Sequence, residues 1–93
     1  MIKKLTAHPY AQAFVETNET GTYLWSYGTL VVEVEDGWVK VNGLYSATIR
    51  RHIGAFMKEY CQLNYQTAKM LYEDNYTLNL HTGEVMPIDD LRK

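Results

Sequence analysis

The sequence predicts an α+β fold: an antiparallel sheet of four to five strands, with the element order β-β-β-β-α-α-β and two helices packed on one face. Three observations carry this. Asp36-Gly37 separates two valine-rich alternating runs, a helical stripe follows over residues 46–60, and strands come in runs before the helices rather than alternating with them.

The hairpin comes first because it sets the register. An Asp-Gly pair between apolar runs is a strong two-residue hairpin signal, since both turn positions need positive φ. With those residues as the loop, Glu35 faces Trp38, Val34 faces Val39, Glu33 faces Lys40 and Val32 faces Val41. Side chains alternate across a strand, so Leu30, Val32, Val34, Val39 and Val41 share one face, and Val31, Glu33, Glu35, Trp38 and Lys40 share the other. Glu33 opposite Lys40 is a cross-strand charge pair of about 0.2–1 kcal/mol.

After Asn42-Gly43, Ser46 is placed to cap a helix, its hydroxyl accepting from a free N–H of the first turn. Ile49, Ile53, Phe56, Met57 and Tyr60 then form one apolar stripe, with Arg50, Arg51 and Lys58 on the other side. The stripe is expected to cover the valine face of the hairpin.

Upstream, Gln12 to Thr17 and Thr22 to Tyr27 flank Asn18-Glu19-Thr20-Gly21, the pattern of another hairpin, and Gly28 marks a bulge or corner before a strand from Thr29. Downstream, Leu63, Thr67, Met70 and Leu71 predict a second helix over 63–74. Thr77 to His81 alternates as a last short strand, Thr82-Gly83 turns the chain, and the charged tail 89–93 is expected to be irregular or a frayed turn.

At 93 residues the chain is read as a single domain over 1–93, burying roughly 60–65% of its unfolded surface. A net charge of −2 argues against both a strongly basic nucleic-acid binder and an acidic mimic of nucleic acid. The lone Cys61 permits no internal disulfide. MIKKLTAHPY lacks the apolar core of a secretory signal and no run reaches membrane-span length, so a cytoplasmic protein without membrane contact is expected. The sequons at Asn18 and Asn75 are then chance matches.

No catalytic, cofactor or metal signature stands out, and no enzyme is expected. His52 and Cys61 could suggest a base and a nucleophile, but nine residues of helix separate them by about 13 Å. His8, His52 and His81 match no ligand spacing. The pairs Asp89-Asp90 and Glu73-Asp74 read as solvated faces or termini, and His52 as a buried group bonded to a backbone carbonyl or a tyrosine hydroxyl. Ser46, Thr48 and His52 are therefore the candidate structural polar residues.

Eight tyrosines and two tryptophans in so short a chain direct attention to binding. Tyr23, Trp25 and Tyr27 alternate with Leu24 and Ser26. They form either the core side of their strand or an exposed recognition surface that takes in Trp38. Arg50, Arg51 and Lys58 are either the wet side of a helix or a small basic patch.

The run Tyr45-Ser46-Ala47-Thr48-Ile49-Arg50-Arg51-His52-Ile53, with Phe56 beyond it, resembles a small family of uncharacterised proteins from bacteria and their phages and plasmids. Those proteins carry Tyr-Ser-x-Thr-Thr-x-x-His at a helix start and a Ser-Tyr-x-Thr segment in the preceding hairpin, here Ser26-Tyr27-Gly28-Thr29. The second threonine of the pattern is Ile49 in this chain. The resemblance implies a mobile-element setting, in which small non-enzymatic proteins bind host machinery, including defence nucleases such as CRISPR effectors.

Three functions follow as expectations. The leading one is a non-catalytic protein-binding module, with an inhibitor of a host defence or nucleic-acid-processing enzyme as one form of it. Its candidate contact residues are Tyr23, Trp25, Tyr27, Trp38, Arg50, Arg51 and Lys58. The alternatives are a single-stranded nucleic-acid-binding accessory protein, whose strand aromatics stack on bases while the helix cations meet phosphates, and a homo-oligomer, a dimer for instance, joined through the aromatic face.

Overall fold

A computed structural model of the chain describes residues 1–7, 11–42 and 46–91, with the side chains of 90 and 91 excepted. His8, Gly43, Tyr45, Arg92, Lys93 and the Asp90 side chain, which entered the sequence reading, lie outside the described residues. Among those described, seven strands form one antiparallel meander in which each pairs with the next in sequence. They are β1 (Ile2–Lys4), β2 (Ala13–Thr17), β3 (Thr22–Ser26), β4 (Thr29–Glu35), β5 (Trp38–Val41), β6 (Tyr76–Asn79) and β7 (Val85–Pro87). Between β5 and β6 the chain forms α1 (Ala47–Cys61) and α2 (Tyr65–Glu73), and a short turn of helix, α3 (Ile88–Leu91), follows β7.

The α+β class and the two packed helices agree with the expectation, whereas the strand count of four to five is corrected to seven. The additional strands are β1 and β7, each three residues long and at the sheet's two edges. Three residues give too little alternation to be recognised. The tail, expected to be irregular or frayed, instead winds into α3, whose first residue, Ile88, is buried and donates its N–H to Asn75 O at 2.8 Å.

The hairpin β4–β5 has the register that its turn dictates, pairing Val32 with Val41, Glu33 with Lys40, Val34 with Val39 and Glu35 with Trp38. Asp36 and Gly37 take φ of 52° and 85°, the double positive geometry of a two-residue turn. One refinement concerns charge. Lys40 is the Cα partner of Glu33, yet its Nζ lies 3.9 Å from a carboxylate oxygen of Glu35, the diagonal neighbour.

Between β3 and β4 the register shifts at Leu24/Trp25. Leu24 pairs with Val32 but Trp25 pairs with Leu30, which leaves Val31 without a partner. This bulge corrects the predicted faces: Val31 and Val32 are both fully buried, and Leu30 moves opposite Trp25 on the outer side. Gly28 proves to be the corner rather than the bulge, forming a two-residue turn with Tyr27 at φ of 78° and 51°.

The helices follow from their caps. Ser46 Oγ accepts from Ile49 N at 3.4 Å, and Asn64 Oδ1 accepts from Thr67 N at 2.8 Å. Between them Gln62 turns left-handed at φ 54°, and Leu63 N–H donates back to Met57 O at 3.0 Å. That closure ends α1 and places Leu63 in the linker, so the second helix begins at Tyr65 rather than at 63.

α1 contacts β3, and α2 contacts β5 and β6. The core between these layers joins Ala13, Val15, Leu24, Val31, Val32, Val39 and Val41 of the sheet to Ile53, Phe56, Met57, Cys61, Ala68, Leu71 and Tyr72 of the helices. Tyr60, expected within the stripe, sits at its rim and stacks on Phe56 with ring centroids 5.2 Å apart. Its place in the core belongs to Cys61, one residue on.

Candidate functional site

Three groups of sequence-selected residues occupy three separate places. The first is the corner where β3 meets α1. Ser26 closes β3 on its inner side, and its Oγ lies 3.0 Å from His52 Nδ1, with both residues buried. The imidazole thus finds a serine hydroxyl at its Nδ1. The exposed Tyr27 ring lies 6.0 Å from the imidazole, tilted by 31°. The two halves of the motif thus meet in space, and Ser46 caps the helix carrying His52 while Thr48 stays exposed.

This corner locks strand to helix. Ser26 Oγ is enclosed and has no access for an attacking role. Replacing Ser26 with alanine takes away the hydroxyl partner of a buried imidazole nitrogen and is expected to cost about 1–3 kcal/mol, read as a lowered urea midpoint. Cys61 is equally unsuited to nucleophilic work. Burial pushes its thiol up to about 12, and the continuous helix keeps it about 13 Å along the axis from His52. Among the described residues no cluster of three or more His, Cys, Asp or Glu could hold a metal ion.

The second place is the outer face of the sheet, opposite the helices. Tyr23 and Trp25 alternate with the buried Leu24 and Ser26 and therefore point outward, away from the core. Tyr27 does not share their face, because the turn carries it toward His52. Cross-strand pairing sets Phe14 beside Trp25, Tyr23 between Glu16 and Glu33, Leu30 beside Trp25, and Trp38 beside Glu35. The result is a patchwork of half-buried aromatic rings and carboxylates across four strands.

Hydrogen bonds fix two of the rings. Tyr23 Oη donates to Glu35 Oε2 at 2.8 Å, and Trp25 Nε1 donates to Glu16 Oε1 at 3.2 Å. The bond to Glu35 holds the Tyr23 hydroxyl well above the usual tyrosine value, at about 12, with burial and the nearby carboxylate charges adding to it. At the edge, Lys4 Nζ lies 5.4 Å from the Phe14 ring centroid, and Ile2, Phe14, Glu16 and Trp25 line a shallow depression of about 360 Å³. Phe14 and Leu30 escaped the sequence reading. The alternation of Phe14 with Ala13 and Val15 was a usable signal, whereas Leu30 was hidden by the bulge.

The third place is the solvent side of α1. Arg50, Arg51 and Lys58 are exposed there and line a groove of about 500 Å³ against Tyr65 and Tyr72 of α2. Arg50 Nη1 lies 3.8 Å from Glu73 Oε1. Tyr72 is pushed up to about 12, first by burial and then by its hydrogen bond with Tyr65. These cations lie on the helical layer, and Tyr23, Trp25 and Trp38 lie on the opposite face of the sheet.

No helix of the described residues is long and apolar enough to cross a membrane. No curated protein and no solved structure matches the chain. A family model does: it matches residues 2–79, which take in the corner, the outer face through β6 and both long helices, and the chain belongs to that family of unknown function, DUF8033.

Proposed function

We propose that the protein is a non-catalytic binding module that docks onto another protein through the outer face of its sheet. The observation that carries this reading is the exposure pattern of that face. It lies opposite α1 and α2 and presents Phe14, Tyr23, Trp25 and Trp38 half-buried, with the Tyr23 and Trp25 rings held by hydrogen bonds. Rings already held by hydrogen bonds lose little rotamer freedom on docking, and aromatic side chains supply most binding hot spots. Carboxylates of Glu16, Glu33 and Glu35 surround the rings, so the complementary surface carries basic side chains around an apolar centre.

The resemblance to proteins of mobile elements supports a cytoplasmic host enzyme as the partner, a defence nuclease or another nucleic-acid-processing enzyme, with inhibition as the outcome of docking. The experiment is a panel of purified CRISPR and restriction nucleases, assayed for activity and for complex formation with the protein. The expected result is one enzyme that is bound and inhibited, with Trp25→Ala and Trp38→Ala each weakening the complex at least tenfold and leaving the circular dichroism spectrum unchanged. Absence of binding across the panel, or a complex indifferent to both substitutions, counts against the reading. Self-association through the same face is the competing occupant, and light scattering that finds a dimer abolished by Trp25→Ala would establish it instead.

A further inference from the structure

The groove between α1 and α2 is separate from the sheet face, and its composition is unusual for a chain of net charge −2. Three cations line it and no carboxylate does. Along α1, Arg50, Gly54 and Lys58 follow at intervals of four residues, and Arg51 and Lys58 at seven, so they share one side of the helix with Gly54 between the charged ends. Lys58 lines two further depressions that adjoin this one, toward Asn64 and toward Thr6, so the groove continues in both directions along the helical layer.

Gly54 is the independent observation. A glycine inside a helix is unfavourable relative to alanine because of the backbone freedom it loses, and it is usually explained by close packing or a special backbone angle. Neither applies here. Its φ is not positive, and a Cβ placed on it would meet nothing within 4 Å. No neighbour in the described structure requires the missing side chain, so the residue keeps open a floor that the protein itself leaves empty. Tyr65, 67% exposed, lines the same groove as that floor.

We propose that this groove binds a phosphorylated nucleoside, with the base stacked on Tyr65 over Gly54 and the phosphate held by Arg51 and Lys58. A volume of about 500 Å³ suits a ligand of that size. Guanidinium and ammonium groups supply the donors that a phosphate needs, and an exposed aromatic ring in the same groove supplies the stacking platform that single-strand binders use. An acidic peptide would need the cations but has no use for the ring or for the open floor. The phosphorylated nucleoside can come as a free nucleotide or as one unit of a single strand.

The test uses the full chain with three probes: AMP, a fluorescein-labelled dT15 strand, and poly-glutamate. Binding is followed by anisotropy for dT15 and by amide chemical shifts for AMP. Wild-type protein is expected to bind dT15 at 50 mM salt, with a log–log salt slope of about −1.4 for two cations on a single strand. Arg51→Gln with Lys58→Gln should weaken binding at least tenfold, and Tyr65→Ala at least fivefold. Gly54→Leu should block the groove and abolish binding while raising the melting temperature, a combination that a merely structural glycine would not give. Saturable AMP shifts confined to α1 and α2 identify a free nucleotide as the source, and dT15 binding without AMP binding identifies a strand. Binding of poly-glutamate alone, dT15 binding unaffected by the groove substitutions, or no binding of either nucleotide probe overturns the proposal. Trp25→Ala serves as the control and leaves nucleotide binding unchanged, so this site stands or falls independently of docking through the sheet.

Discussion

Replacing Phe56 with alanine is expected to remove about 3–5 kcal/mol of folding stability, the range for emptying a fully buried aromatic position. Domains of this size hold about 5–15 kcal/mol in total, so the loss takes from about a fifth to all of that stability and should lower the urea midpoint markedly. Phe56 is completely enclosed at the centre of the α1 stripe, between Ile53 and Met57, within the core that joins α1 to the sheet. Its ring also supports Tyr60 at the rim. The cavity cannot close easily, because the helix above it is pinned at several places: by the Ser26–His52 bond, and by Glu59, whose carboxylate accepts the N–H groups of Ala7 at 2.9 Å and Thr6 at 3.2 Å. Urea unfolding followed by tryptophan fluorescence measures the loss. Phe56→Leu keeps most of the volume and should cost much less. A loss below about 1 kcal/mol for the alanine variant would mean that α1 does not pack on the sheet in the way described.

The parts of this fold that could be read from the chain are those in which a local signal and a longer pattern agree. The β4–β5 register is the clearest case. Asp36-Gly37 demands a two-residue turn, and alternation then allows only one pairing that buries the valines. The start of α1 is another, because Ser46 supplies a cap immediately before a helical stripe. What escaped had no local signature. The segment Leu30-Val31-Val32 does not reveal its bulge, since three successive apolar residues fit either face. The β1 and β7 strands are stabilised by their neighbours in the sheet and not by their own three residues. Tyr60 leaves its expected place in the core to Cys61, since the α1 stripe is broad enough for either residue to be its buried edge.

The site was legible in composition but not in arrangement. Aromatic surplus pointed to Tyr23, Trp25 and Trp38, and helical periodicity set Arg50, Arg51 and Lys58 apart from the core stripe. That these two sets stand on opposite sides of the molecule follows only once β3 and α1 are known to pack with Leu24, Ser26, His52 and Ile53 between them. The pairing of Ser26 with His52 spans 26 residues and depends on the sheet as a whole. Gly54 and Tyr65 drew no attention because their significance lies in the space between two helices.

Substituting Gly37 with alanine is expected to cost about 2–5 kcal/mol, the sum of a left-handed backbone penalty of about 1–2 and an overpacking penalty of about 1–3. The first arises at φ 85°, where a Cβ is disfavoured. The second arises from what the turn touches. A Cβ on Gly37 would run into the His81 ring and come within 2.9 Å of Asn79 Oδ1. The Asn79 side chain does not yield readily. Asn79 is buried, its Oδ1 accepts the N–H groups of His81 at 2.9 Å and Thr82 at 3.1 Å, and its Nδ2 donates to Asp36 O at 3.3 Å. The Gly37 carbonyl accepts Leu80 N–H at 2.7 Å, so the β4–β5 turn and the β6–β7 turn are stitched together from both sides. Gly28 provides the internal control. Its φ is 78°, but a Cβ there meets nothing within 4 Å, so Gly28→Ala carries the backbone penalty alone, about 1–2 kcal/mol. The difference between the two variants in a denaturant series isolates the packing contribution of the stitched turns. Equal losses would show that His81 swings away freely and that the two hairpin ends are independent. A larger loss at Gly37, accompanied by faster amide exchange at Leu80 and His81, is the outcome that this architecture requires.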